Sequence, residues 1–222
     1  MSFSDTLRET ATSIWDQILE HPFLREMAAG TLPTEKYVFY IKQDYLYLKE
    51  FSRCISLAVS KADKLELMST LSGLMNGCLT YEMNMLRSHL MELGLRPDDV
   101  QMIQMAPTNY GYTRHMLHVA YSGSVGENLA ALLPCMWTYQ VIGEKLWITK
   151  ADKLEGYYSD WIWSYRSDEY RQLVDKYKSM IDDCEKDAST TERAAMTRLF
   201  MTSSRYEYMF WDMAYNIETW PL

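Results

Sequence analysis

The chain has 222 residues, 48% of them hydrophobic, with 9 Gly and 6 Pro, which is ample for a packed core and excludes a disordered chain. Its formal net charge is −8 and no run of Lys or Arg forms a basic stripe, so nucleic acid is a poor partner. The start, Met1 to Glu9, has no basic segment leading into an apolar one, and the most apolar stretch, Leu129 to Ile142, is short and interrupted by Pro134, Thr138 and Gln140; neither a signal peptide nor a membrane span is expected, and a cytoplasmic location is.

Apolar residues recur at helical spacing nearly everywhere, and no repeat or linker divides the chain. The pattern predicts a single-domain, all-α bundle with more than four helices. A first helix is expected from about Ser4 to Glu20, stopped at His21-Pro22 because the residue before proline avoids the helical region. A short helix then ends at Gly30. Thr34 is expected to cap a long helix reaching about Ser60. Another runs from about Lys64 to Leu93, ending at Gly94, and Arg96-Pro97-Asp98 starts a short element. Pro107-Thr108-Asn109 opens a helix that ends before Ser122-Gly123. The next spans about Val125 to Thr149 with Pro134 inside it. Helices over about Glu155–Tyr165, Ser167–Lys186 and Ser189–Thr219 complete the chain.

Functional candidates are polar residues that fall on apolar helix faces, since burying a carboxylate is costly unless something pairs with it. In the helix from Thr34, Asp44 interrupts the stripe Tyr37, Ile41, Tyr47, Leu48, Phe51, Ile55, Ala58, and Tyr47, three residues on, points with it. In the last helix, Glu207 interrupts Leu199, Phe200, Ser203, Phe210, Ala214. Burial there would raise its proton affinity toward the range useful for proton transfer. Both could instead be structural, Asp44 bonded to a neighbouring helix or Tyr, and Glu207 paired with an Arg, although Arg198 and Arg205 lie on other faces.

The four cysteines, Cys54, Cys78, Cys135 and Cys184, are far apart in sequence and are expected as free thiols. Cys54, Cys78 and Cys184 suit buried apolar positions. Cys135 follows Pro134, which either kinks a helix or begins a new one. In the second case a helix N-terminus would lower the thiol pKa. Tyr139 shares its face. A nucleophilic thiol with a general acid–base partner is one chemistry that Cys135, Glu207 and Asp44 would support, but spacing does not bring them together.

At these residues the chain resembles the thiaminase II (TenA) family. The segments are His21-Pro22-Phe23, Gln43-Asp44-Tyr45-Leu46-Tyr47-Leu48, Tyr112-Thr113-Arg114-His115-Met116, Leu133-Pro134-Cys135-Met136-Trp137-Thr138-Tyr139, Trp161-Ile162 with Tyr165, and Ser204-Arg205-Tyr206-Glu207 with Phe210-Trp211. Cys135 puts it in the Cys-bearing branch. The resemblance implies a haem-oxygenase-like helical fold without haem, no cofactor and no metal, and a homotetramer. It implies hydrolysis of an aminomethyl aminopyrimidine to the hydroxymethyl pyrimidine, a thiamin-salvage step, with slower cleavage of thiamin. Cys135 would add to the ring and Glu207 would move protons. Asp44 would bind the amino-pyrimidine edge and Tyr139 a ring nitrogen. Tyr112 would line the pocket, and Tyr47 and Tyr165 would orient Glu207.

Two other readings compete. His115 and His118 are three residues apart, as metal ligands can be, but no Glu stands three residues before any His, so the Glu-x-x-His pairs of di-iron bundles are missing. A non-catalytic pyrimidine-binding or regulatory protein would need Asp44, Tyr112 and Tyr139, but neither Cys135 nor Glu207.

Overall fold

The computed structural model describes residues 1–100, 102–150 and 155–221. In chain order its elements are α1 (Phe3–Thr10), α2 (Thr12–Leu19), α3 (Pro22–Ala28), α4 (Thr34–Lys61), α5 (Leu65–Gly77), a π-helical turn (Cys78–Glu82), α6 (Met83–Glu92), α7 (Pro97–Val100), α8 (Pro107–Ser122), α9 (Val125–Lys150), α10 (Tyr157–Arg166), α11 (Asp168–Asp187) and α12 (Thr190–Asn216). Among the described residues there is no strand, and no helix is long and apolar enough to cross a membrane.

Helix α9 is the axis, packed by α10, α11 and α12, with α4 and α8 closing the other side. Five successive residues, Leu129 to Leu133, are all fully buried, so this helix meets protein all round its circumference, as a helix without a polar face must. The polar faces belong to the outer helices: α11 buries Tyr170, Val174, Tyr177 and Ile181 on one side and leaves charged residues on the other.

Several ends follow local chemistry. Ser2 and Asp5 form a capping box at α1. Pro22 opens α3, where His21 Nδ1 accepts the Phe23 N–H at 3.2 Å. Gly30 (φ 68°) and Gly94 (φ 74°) take left-handed turns after helices. Ser167 and Ser189 accept the Tyr170 and Glu192 N–H groups.

Other expectations need correction. The first helix is two, because Thr10 and Thr12 hydroxyls bond back to the carbonyls of Leu7 (2.7 Å) and Glu9 (2.9 Å) around Ala11, an alternative to the regular backbone ladder. Thr34 does not cap α4. It is already helical, and Pro33, extended at ψ 129°, occupies the cap position. The last helix stops at Asn216, where Ile217 turns left-handed. Finally, the stretch expected as one helix over Lys64–Leu93 is interrupted by the π-turn. There the Thr80 hydroxyl takes the Asn76 carbonyl at 2.6 Å. Buried positions run Leu71, Leu74, Cys78 and then, five residues on, Met83; a π-turn accommodates that extra residue.

Candidate active site

Five helices bring the predicted polar residues to one buried cluster. Glu207 of α12 is 2% exposed. Its Oε1 accepts from the Tyr112 hydroxyl of α8 at 2.6 Å, and its Oε2 accepts from Thr138 of α9 at 3.4 Å. Asp44 of α4 is 3% exposed. The Tyr40 hydroxyl lies 3.3 Å from Asp44 Oδ2 and 3.3 Å from the Tyr139 hydroxyl of α9, and accepts from Trp161 Nε1 of α10 at 3.1 Å. Tyr139 packs edge-on against Tyr165 of α10, ring centroids 4.9 Å apart. Gly143 of α9 makes that approach possible: a Cβ there would stand 2.9 Å from the Tyr165 carbonyl carbon and from the Arg166 nitrogen.

Cys135 is half-buried in the same cluster. Pro134 lies well inside α9, so the continuous helix replaces the alternative in which Pro134 starts a new one. Cys135 is therefore not at the N-terminus of its own helix. Burial, then the nearby Glu207, push its pKa well above the ordinary thiol value, against the pull of the Tyr47 hydroxyl facing it. These influences favour the thiol over the thiolate. Cys54 and Cys78 are buried, and burial pushes Cys54 up to about 12. Cys184 is half-buried on α11.

The carboxyls behave as a group. Burial pushes Glu207 up to about 7 despite its two donors. Burial, then Glu82 and Glu207, hold Asp44 well above the usual carboxylate range. No ion pair among the described residues includes Asp44, Glu82 or Glu207. The cluster offers proton donors and acceptors at neutral pH, an aromatic lining and one nucleophile, a set that suits addition to an electron-poor ring.

The partners of Glu207 differ from those expected. Tyr112 and Thr138 hold it, whereas the Tyr47 hydroxyl donates to Met116 Sδ at 3.3 Å. Tyr47 stands one ring away, its centroid 5.2 Å from that of Tyr112. The Tyr165 hydroxyl faces Glu82 instead. Tyr40, Thr138, Trp161 and Glu82 are members that spacing arguments passed over. Thr138 had a signal, three residues from Cys135 on the same helix. Glu82 had none, because the five-residue step from Cys78 to Met83 shows only in their burial.

Elsewhere, His115 Nε2 lies 3.2 Å from Ser203 Oγ, with its ring stacked on Tyr206. Among the described residues no group of three His, Cys, Asp or Glu side chains is arranged to hold a metal. An open groove of about 1210 Å³ runs between the start of α5, the start of α9 and α11, and contains no member of the cluster.

Comparison with known proteins agrees with this geometry in family and fold. A family model described as the TENA/THI-4/PQQC family matches residues 8–217. The chain is 40% identical to a protein of Halalkalibacterium halodurans named aminopyrimidine aminohydrolase, over 99% of this chain and 98% of that one. The solved TenA homologue from P. horikoshii OT3 superposes with a TM-score of 0.90 at 35% identity, covering 97% of this chain and 99% of that one. A Shewanella denitrificans domain of unknown function with a haem-oxygenase-like fold superposes at a TM-score of 0.74 over 96% of this chain and 92% of that one, and at 16% identity it shows the fold alone.

Proposed function

This chain belongs to the TENA/THI-4/PQQC family, and we propose that it is an aminopyrimidine aminohydrolase, a hydrolase that acts as a single domain. Its substrate is 4-amino-5-aminomethyl-2-methylpyrimidine, its products are the 5-hydroxymethyl pyrimidine and ammonia, and thiamin is cleaved more slowly by the same route. The observation that carries this is the convergence of half-buried Cys135 with buried Glu207 and Asp44, beside Tyr112 and Tyr139.

Cys135 loses its proton to Glu207 and adds to the ring carbon beside the substituted one. Electrons pushed through the ring expel the amine from the side-chain carbon. Glu207 returns the proton to that leaving group, then takes one from water as it attacks the exocyclic carbon. The ring regains aromaticity and the thiolate departs, recovering its proton from Glu207. A buried group titrating near 7 can do both halves of this exchange. Asp44 binds the amino-pyrimidine edge, Tyr139 a ring nitrogen, and Tyr47, Tyr112 and Tyr165 complete the walls. Burial of the reacting groups makes each electrostatic contact stronger than in water.

The test is incubation of purified protein with the aminomethyl pyrimidine and assay of released ammonia and hydroxymethyl product. Stoichiometric release is expected. Tight binding with no release would replace the enzyme with a non-catalytic pyrimidine binder.

We further read the protein as a cytoplasmic homotetramer, on the family resemblance. Leu65, Tyr81 and Tyr121, each more than two-thirds exposed, are side chains that subunit contact would cover. Light scattering that returns a monomer mass overturns this.

A further inference from the structure

Tyr40 has no part in the roles above, yet its hydroxyl is the junction of three helices. It accepts from Trp161 Nε1 of α10 at 3.1 Å, and it lies 3.3 Å from the Tyr139 hydroxyl of α9 and 3.3 Å from Asp44 Oδ2, one turn along α4. Tyr40 and Trp161 are both fully buried. The Tyr40 ring is stacked on Trp211, centroids 5.3 Å apart with 19° between the planes, and tilted against Phe23 at 5.5 Å, so packing fixes where its oxygen stands. Tyr40 thus ties together the two groups proposed for the ring edge, Asp44 and Tyr139.

The hydrogens at this junction can be counted. An indole N–H only donates, so one lone pair of the Tyr40 oxygen belongs to Trp161. The hydroxyl then has a single hydrogen and one further lone pair for two neighbours. A pyrimidine ring nitrogen is an acceptor, so Tyr139 must donate to it. A Tyr139 hydrogen given to Tyr40 instead would leave two acceptors face to face at the ring.

We propose that Tyr40 is a positioning residue of this pocket: held by Trp161, it gives its hydroxyl hydrogen to Tyr139, so that the Tyr139 hydrogen is directed at a ring nitrogen. The inference rests on the aminopyrimidine reading. The remaining lone pair of Tyr40 receives the hydrogen of Asp44 in its acid form, the form that burial favours, and the other Asp44 oxygen is left to accept from the amino group. Each partner of the Tyr40 oxygen is satisfied by this one arrangement. Trp161, Tyr40 and Tyr139 donate in one direction, and each hydrogen bond in such a chain polarises the next. As the Cys135 sulfur bonds to the ring carbon, the π pair of the adjacent carbon–nitrogen bond moves onto nitrogen, and it later returns to expel the amine. The chain is aimed at that developing charge before the reaction begins.

The experiment measures kcat and KM for ammonia release from the aminomethyl pyrimidine by wild type, Tyr40→Phe, Tyr139→Phe and the double variant. Because the chain acts most strongly on charge that develops during addition, Tyr40→Phe should lower kcat about tenfold, the size of one hydrogen bond to a charged group, and leave KM within about twofold. In the Tyr139→Phe background the relay is already broken, and adding Tyr40→Phe should lower kcat by less than about twofold further. Tyr40→Phe with wild-type kcat, with a loss confined to KM, or with its full effect kept in the Tyr139→Phe background overturns the proposal. Should Tyr40→Phe fail to fold, Trp161→Phe removes the donor behind Tyr40 and should lower kcat with the same dependence on Tyr139; no loss, or a loss independent of Tyr139, overturns it equally. Wild type that releases no ammonia ends the functional reading itself, whereas active wild type with unaltered Tyr40→Phe kinetics ends only this inference.

Discussion

The Tyr112 hydroxyl of α8 donates to Glu207 Oε1 of α12 at 2.6 Å, inside a cluster where both residues are buried. The bond pulls the proton affinity of Glu207 down while burial pushes it up, and the carboxyl settles at about 7. Two opposed influences thus poise one group at neutrality, and each can be removed separately.

Removing the carboxyl charge should separate function from stability. Glu207→Gln is expected to lose turnover by about 100-fold or more, the usual contribution of a general acid–base group. It should also melt higher than wild type at pH 8. A carboxyl raised from 4.5 to about 7 supports the fold only while protonated, so its support is complete below about 4.5 and lost as pH rises through about 7. The cost at pH 8 is on the order of 3 kcal/mol, and Gln does not incur it. Thermal melts at pH 8 and pH 5 check this: the gain should be large at the first and small at the second.

Removing the donor should move the titration instead. Tyr112→Phe deletes the hydrogen bond that lowers the Glu207 pKa, so any limb of the pH–rate profile belonging to that carboxyl should shift to higher pH. A fall of about tenfold in kcat/KM at neutral pH is expected, within the range for one charged hydrogen bond. A rate profile superimposable on wild type would mean that Glu207 is not the group being read.

The thiol should behave as unactivated in the free protein. Because burial and Glu207 raise the Cys135 pKa, its alkylation by iodoacetamide, followed by peptide mass spectrometry, should be slow at pH 7 and keep accelerating past about pH 9. A plateau near neutrality would show a resting thiolate. Cys135→Ser should abolish turnover in a folded protein, whereas Cys54→Ser should leave turnover nearly unchanged.

Gly143→Ala should damage the pocket without touching a polar group. The added Cβ would stand 2.9 Å from backbone atoms of Tyr165 and Arg166, so α10 must move outward and carry Tyr165 with it. A loss of about 1–3 kcal/mol is expected from overpacking, read by urea denaturation, together with a raised KM for the aminomethyl pyrimidine.

Much of the helical layout is legible in the chain itself, because helix ends are local chemistry: Pro22, Gly30, Gly94, Ser167 and Ser189 act within a few residues of where they stand. Asp44 and Glu207 could be picked out for the same kind of reason, as charges on apolar stripes with a period of one helix turn. The family resemblance added the chemistry. Tertiary structure decided what spacing cannot: that α4, α8, α9, α10 and α12 meet, that Tyr112 rather than Tyr165 holds Glu207, and that Tyr40 joins Asp44 to Tyr139. Those relations mostly join residues dozens of positions apart, and they depend on how the helices pack. The thiol shows the same division. Pro134 marked Cys135 as unusual, but only the enclosure of α9 determined that the thiol is raised, since desolvation depends on everything around a group and not on its neighbours in sequence.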